Sequence, residues 1–344
     1  MPICRSGSWS SNFANSAGYW EPADIVAIHD EMLTAIGSTW DDLTEFPAGW
    51  ADSVAAGPFT SRLASAFEEA FGPSSLAVLK DPRICRFTPL WISILERMEI
   101  EPLFVIPVRS PLEVAASLRV REERDTATDA PRAGSTMAEA KALLLWLRHF
   151  LDAEHHTRGF ARCFVSYEQL LADWRGTMAK VGRELGIEWP TSADAVARQV
   201  EKFLSREMRH HVSASEVLAT RPDVVSWVKD AYRWAQNAVA GRVGDSHELD
   251  AINAALRIAS LAFHPVLAQQ LEQDRVLAAA LAKREASLAA EVRHGEELAA
   301  ELRDLRPLVA NIVDSFGQAS EGLEHAVRLA GEARADLAYR LNEA

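Results

Sequence analysis

The chain has 344 residues, of which 48% are hydrophobic and 25% charged, so its composition is that of a globular protein with a large core. Its 36 basic and 49 acidic residues give a net charge of −13, which disfavours a general nucleic-acid-binding protein but allows a small anionic ligand. Three cysteines, Cys4, Cys85 and Cys163, have no paired spacing and predict neither a disulfide framework nor a zinc site.

No apolar segment of the chain approaches about 18 residues, the length of a membrane-spanning helix. Residues 1–10 lack the basic and then apolar order of a signal peptide. We therefore expect a cytoplasmic protein with no membrane span.

The N-terminal part of the chain predicts strands that alternate with helices. Residues 74–79 (SSLAVL), 103–110 (LFVIPVRS) and 161–167 (ARCFVSY) are short apolar runs typical of buried strands. Residues 90–98 and 137–156 have helical patterns and lie between these runs. This alternation predicts a mostly parallel sheet with helices on both faces.

The run at residues 103–110 contains one charged residue, Arg109. Ser110 then predicts a helix start, with the serine as N-cap, a proline at the first helical position and Glu113 closing a capping box. A helix N-terminus has free N–H groups and an arginine is a forked cation, so we expect an anion site here. Ser117 would add a hydroxyl group two turns along the helix.

Other polar residues also follow predicted strands. The turn after residues 74–79 contains Lys80, Asp81 and Arg83, and Arg109 follows the next strand. In parallel sheets of this kind, ligands bind beyond the carboxyl ends of the strands. We therefore expect these side chains to lie near one ligand site.

From about residue 265 the composition shifts to alanine, leucine, glutamate and arginine, which predicts a helical region. We thus divide the chain into an α/β domain, residues 1–264, and a helical region, residues 265–344. Apolar residues recur there at spacings of three and four, and Pro307 is expected to interrupt the helix. Two interpretations stay open: a helical hairpin packed on its own chain, and a coiled coil that pairs subunits or binds another protein. The pattern after Pro307 consists of Val309, Val313, Phe316, Leu323, Val327, Ala330, Leu337 and Leu341, with Ser320 and Arg334 as polar exceptions.

Arg109, Ser117, the turn at residues 80–83 (KDPR) and the segment at residues 166–170 (SYEQL) together resemble a known enzyme family. They are similar to the sulfotransferases that use 3′-phosphoadenosine 5′-phosphosulfate (PAPS), especially the bacterial branch, over residues 4–211. In that family a strand ends in V-x-R-[NSD]-P, and a serine follows eight residues after the arginine. This chain has valine directly before Arg109, so it departs from the motif by one residue.

The resemblance implies an α/β fold with a three-layer arrangement, in which helices flank a parallel sheet like that of the P-loop NTPases. It also implies that PAPS is the co-substrate, that no metal is needed, and that Arg109 and Ser117 bind the 3′-phosphate of PAPS.

An abbreviated phosphate loop at the N-terminus is part of the same resemblance. Arg5, Ser6, Gly7 and Ser8 match the core of the family's loop, which implies that they hold the 5′-phosphosulfate. Only three residues precede Cys4, where the family has a central strand, so we expect weak binding of PAPS.

The related tyrosylprotein sulfotransferases imply the catalytic residues. By that likeness Glu21 takes the proton from the acceptor, and Lys80 offsets charge on the bridging oxygen of the leaving phosphate. Asp81 and Arg83 would position the reacting groups. His29 is a rival base, since an imidazole titrates near neutral pH.

The resemblance predicts an enzyme that transfers a sulfuryl group from PAPS to a hydroxyl or amine. The alternative is a non-catalytic assembly protein, in which a degenerate sulfotransferase domain carries a coiled coil. A nucleotide kinase is disfavoured because the chain has no G-x-x-x-x-G-K-[ST] motif. The acceptor is open between carbohydrate, lipid, peptide and small phenol.

Overall fold

The computed structural model describes residues 21–128, 138–204, 215–242 and 244–343. These residues are mostly helical, with two short strands, β1 (Phe104–Val108) and β2 (Arg162–Ser166). The helices in chain order are α1 (Ala23–Ala35), a 3-10 helix (Trp50–Asp52), α2 (Gly57–Phe71), α3 (Ile84–Arg97), α4 (Pro111–Thr128), α5 (Glu139–His156), α6 (Tyr167–Ala172), α7 (Trp174–Leu185), α8 (Ala193–Phe203), α9 (Ser215–Thr220), α10 (Ser226–Val239) and α11 (Ser246–Glu343).

The two strands pair in parallel, with Phe104 opposite Arg162 and Val108 opposite Ser166. Helices α4 and α5 lie in the connection between them, as a parallel pair requires a long crossover. These two predicted strands and the parallel direction of the sheet are therefore confirmed.

Helices cover one face of both strands and also the second face of β2. On one face Ile106 and Phe164 belong to a buried cluster with residues of α5, α10 and the first turns of α11. On the other face Cys163 and Val165 pack against α7. The predicted fully buried character of β1 is wrong, because Val105 is half exposed and the strand buries alternate residues.

In the described residues the sheet has two strands. The larger sheet of the three-layer arrangement that the resemblance implies is not seen there. Residues 74–79, predicted as a strand, have no regular secondary structure. Ala77 and Leu79 pack against the cluster of α1, α2 and α3, whereas Val78 is 66% exposed. A short apolar run becomes a strand only where a neighbouring strand satisfies its backbone groups. The residues of the run do not show whether such a strand is present.

Helix α4 begins at Pro111, as predicted, but the serine half of the predicted capping box does not form. The Ser110 hydroxyl is buried and has no hydrogen-bond partner. The Glu113 carboxylate instead accepts a hydrogen bond from Arg109, with Nε and Oε2 3.1 Å apart. A guanidinium attracts a carboxylate strongly, so this ion pair stabilises the start of α4.

A second buried cluster joins α1, α2 and α3. Ile25 and Met32 of α1, Leu63 of α2, and Phe87 and Trp91 of α3 are its central members. This packing holds α1 against the start of α3 and so fixes the residues that precede the two helices, Glu21 and the turn at residues 80–83.

The chain divides into two compact units, residues 1–266 and 267–344, and the predicted boundary after residue 264 lies close to this division. Helix α11 runs without a break from Ser246 to Glu343. The predicted interruption at Pro307 is therefore wrong, and so is the hairpin interpretation. A proline removes one hydrogen bond from a helix, and the bonds of neighbouring turns keep this helix continuous.

Within the first unit, Leu249, Ile252 and Leu256 of α11 are buried. In the second unit, the large apolar side chains that the structure describes are exposed, among them Phe316 and Leu323. Among the described residues we find no helix whose length and apolar character would let it span a membrane.

Candidate functional site

Glu21 and Lys80 form an ion pair just before two helices. Glu21 precedes α1 and Lys80 precedes the turn into α3, and the Lys80 Nζ donates to Glu21 Oε1 at 2.5 Å. The Glu21 side chain is 8% exposed, whereas that of Lys80 is 54% exposed. The structure therefore brings the proposed base and the proposed cation into direct contact, although 59 residues separate them.

Asp81 organises the turn that follows Lys80. Its Oδ1 accepts hydrogen bonds from the Arg83 backbone N at 2.9 Å and from Arg83 Nη1 at 3.0 Å. Its Oδ2 lies 2.7 Å from Nδ1 of His29. Burial raises the pKa of Asp81, but the hydrogen bond from His29 and the charge of Arg83 lower it, and the net direction is downward. Asp81 is therefore a buried carboxylate that holds Arg83 and His29.

His29 uses both of its ring nitrogens inside the core. Trp91 Nε1 can only donate, and it lies 2.9 Å from His29 Nε2, so Nε2 is the acceptor and Nδ1–H donates to Asp81. The ring is fully buried and stacks on Phe87 at a centroid distance of 5.0 Å. His29 thus has no nitrogen left to accept a proton from a substrate. This geometry argues against His29 as the base and leaves Glu21 as the candidate.

Arg83 is held from two sides. Besides Asp81, it pairs with Asp30 of α1, with Arg83 Nε and Asp30 Oδ1 2.8 Å apart. The nearby carboxylates raise the pKa of Arg83, although its partial burial acts in the opposite direction. The turn at residues 80–83 is therefore fixed to α1 through Glu21, His29 and Asp30.

Arg109 lies directly after β1 and forms a second group of contacts. Besides the hydrogen bond to Glu113, its guanidinium lies 4.6 Å from the centroid of the Tyr167 ring, at the end of β2. The Arg109 side chain is partly buried, and Ser117 of α4 is exposed. Tyr167 thus orients the arginine, a role that its position in the SYEQL segment did not predict.

Arg5, Ser6, Gly7 and Ser8 lie outside the residues that the structure describes. Their predicted role in holding the phosphosulfate stays a prediction. Among the described residues the candidate site therefore consists of two groups of contacts, that of Glu21 with Lys80 and that of Arg109 with Glu113 and Tyr167.

A cavity of about 430 Å³ lies between α3, α5, the loop before the 3-10 helix and the first turns of α11. Its floor contains Arg86 and Arg148, both buried, which lie on either side of Asp152. Arg148 Nη2 donates to Asp152 Oδ1 at 2.5 Å and to Asn253 Oδ1 at 2.7 Å. The lining contains three arginines and three carboxylates, so the charges balance and we assign no anion site to it.

Two contacts of these residues were not predicted from the sequence. The contact of Arg109 with Glu113 joins residues four positions apart across the start of α4 and was open to prediction. The contact of His29 with Trp91 joins residues 62 positions apart, and only packing brings them together. Within the described ranges, no three histidine, cysteine or acidic side chains are grouped as a metal site would require.

Comparisons of the chain with protein families, with curated proteins and with solved structures found no match.

Proposed function

We propose that this protein transfers a sulfuryl group from PAPS to a hydroxyl or amine of an acceptor. The observation that carries the proposal is the contact of Lys80 with Glu21, whose side chain is nearly buried. It joins a carboxylate that can accept a proton to a cation that can offset charge on a leaving oxygen, which are the two groups that this transfer needs.

In the proposed reaction, Glu21 accepts the proton of the acceptor hydroxyl as that oxygen forms a bond to sulfur. The bond between sulfur and the bridging oxygen of PAPS breaks, and the electron pair stays on the 5′-phosphate of 3′-phosphoadenosine 5′-phosphate. Lys80 stabilises the charge on this oxygen. Positioning and charge stabilisation are the main demands of such a displacement, as in phosphoryl transfer.

Arg109 supports the donor side of the proposal. It follows a parallel strand and stands next to the N-terminus of α4, where free N–H groups favour an anion. Glu113 and Tyr167 hold its side chain in place. We assign Arg109 to the 3′-phosphate of PAPS, with Ser117 as a further hydroxyl on the same helix.

Two measurements on the full chain test the proposal. Calorimetric titration with 3′-phosphoadenosine 5′-phosphate should give saturable binding, and labelled PAPS should transfer its sulfate to a member of a panel of hydroxyl and amine acceptors. The Glu21→Gln variant should bind the nucleotide and lose transfer. Glu31→Gln is the matched control, because Glu31 lies on α1, the helix that Glu21 precedes, and forms an ion pair with Arg62, but is exposed.

A second candidate is a non-catalytic assembly protein. The observation in its favour is the exposed apolar surface of α11 beyond residue 266. Under this alternative the nucleotide gives no heat of binding, and no acceptor receives sulfate from PAPS. Absence of nucleotide binding by the folded full chain would therefore replace the enzyme proposal with this one.

A further inference from the structure

Helix α11 contains an uninterrupted apolar seam between residues 298 and 337 that differs from the pattern expected from the sequence. One column of the seam consists of Leu302, Val309, Phe316, Leu323, Ala330 and Leu337. The other column consists of Leu298, Leu305, Ile312, Ala319, Ala326 and Ala333. The twelve positions alternate by four and three residues and include no polar side chain. The expected pattern shared the first column, but its second column contained Ser320 and Arg334. The uninterrupted seam uses the column on the other side of the shared one.

This apolar seam is exposed along its whole length. Its eight side chains larger than alanine are 47% to 74% exposed, with Phe316 the most exposed of them. Twelve seam positions correspond to six heptads, which exceeds the roughly three to four that indicate a coiled coil. Pro307 lies on the opposite face of the helix, so its ring does not interrupt the seam.

We propose that the seam pairs with the same seam of a second copy of this chain, in a parallel two-stranded coiled coil. Two charged residues that flank the seam support this occupant. Glu301 precedes one column and Arg306 follows the other, five residues later. In a parallel pair in register, residues with this relation face each other across the two helices, so opposite charges meet on both sides.

The antiparallel arrangement is opposed by the same flanking residues. In an antiparallel pair, the flanking column that contains Glu301 and Asp336 faces the same column of the other copy, and the flanking column that contains Arg306 and Arg334 also faces itself. Acidic residues then share one side of the pair and basic residues the other, so the contacts of opposite charge are lost and like charges destabilise the arrangement. Leu308 and Val313 also match in the parallel register, since they flank the seam with the same spacing of five residues and cover apolar surface together.

The oligomeric state of the full chain tests the pairing. Light scattering of the wild-type chain should give twice the mass of one copy. A lysine in the centre of the seam, Ile312→Lys, should give the mass of one copy, because it places two charges in an apolar interface. Asn311→Lys is the matched control, because residue 311 is adjacent in sequence but lies outside the seam, and this variant should keep the doubled mass.

Circular dichroism shows whether the Ile312→Lys chain is still folded, and the double variant Ile312→Lys with Phe316→Lys repeats the test more strongly. A wild-type chain with the mass of one copy at micromolar concentration overturns the proposal. A doubled mass that both seam variants retain also overturns it, because the copies would then meet elsewhere.

Single cysteines test the direction. In a chain whose natural cysteines are replaced, Ala330→Cys should form a disulfide-linked dimer under oxidation, because residue 330 faces itself in the parallel register. Ala335→Cys, on the outer face, is the control and should stay unlinked. A disulfide between Ala330→Cys of one copy and Leu305→Cys of another, without one between two Ala330→Cys copies, would show the antiparallel arrangement. That result would overturn the parallel one. These experiments need no nucleotide, so their outcome is separate from that of the enzyme proposal.

Discussion

The residues around Glu21 and the helix beyond residue 266 depend on different kinds of contact. Around Glu21 each polar side chain meets partners more than fifty residues away, as Lys80 and Asp81 show. In α11 beyond residue 266 the polar contacts are between residues three or four positions apart, such as that of Gln270 with Asp274. The first region is therefore sensitive to single changes in its packed core, whereas the second depends on a repeated pattern. The following predictions sharpen this contrast, from the largest expected effect to the smallest.

The largest effect is expected for catalysis. Replacing Lys80 with methionine should reduce sulfate transfer by about 100- to 10,000-fold, because the leaving oxygen loses its cation. The turnover rate is measured with labelled PAPS at saturating donor concentration. Arg62→Met is the control, since Arg62 forms a comparable ion pair on the surface, and it should leave the rate unchanged. Equal losses in both variants would contradict the role of Lys80.

Next in size is the effect of Asp81 on stability. Asp81→Ala should lower the free energy of unfolding by about 3–5 kcal/mol, because His29 and Arg83 lose a buried charged partner. Urea unfolding followed by tryptophan fluorescence measures this difference, and the exposed Glu68→Ala on α2 should change little. A loss below about 1 kcal/mol would show that the Asp81 contacts contribute little to folding.

The same residue predicts a dependence on pH. The pKa of Asp81 is lowered in the folded protein, so the ionised carboxylate stabilises the fold. This contribution is complete above the pKa of aspartate in the unfolded chain, about 3.9, and is lost as the pH falls through the lower pKa of the folded state. The stability difference between the wild type and Asp81→Ala should therefore shrink as the pH falls below about 4.

Arg109 is expected to affect one ligand and not another. Arg109→Ala should weaken binding of 3′-phosphoadenosine 5′-phosphate by about 2–4 kcal/mol, because a charge-assisted contact to the 3′-phosphate is lost. Adenosine 5′-phosphosulfate has no 3′-phosphate, so its affinity should change little. Calorimetry with both ligands makes the comparison, and equal losses would mean that Arg109 supports the fold through Glu113 and Tyr167 instead.

The smallest effect is expected at Trp91. Trp91→Phe removes the donor to His29 Nε2 and should cost about 1–3 kcal/mol of stability. Trp174→Phe is a control outside this core, where the ring contacts an exposed arginine. NMR of the His29 ring nitrogens should also show loss of the fixed tautomer in Trp91→Phe, and an unchanged ring spectrum would contradict the assignment of the tautomer.

Much of the local structure followed from the sequence. The apolar runs of β1 and β2 and the proline at the start of α4 report backbone preferences that act over a few residues, and the structure has them as predicted. The same holds for the helical character of residues 265–343. The periodicity also predicted an apolar seam, but the predicted seam and the uninterrupted seam share only one of their two columns.

The tertiary structure alone determined how the polar groups pair. Residues 76–79 are an apolar run like β1, yet no described strand satisfies their backbone, and they stay irregular. On sequence grounds His29 was a rival to Glu21 as the base, and the structure then places Trp91 and Asp81 on its two ring nitrogens. Hydrophobic patterns record which face of an element is buried, and they therefore predict elements. They do not record which distant side chains share that buried space, and in this protein those neighbours occupy both ring nitrogens of His29.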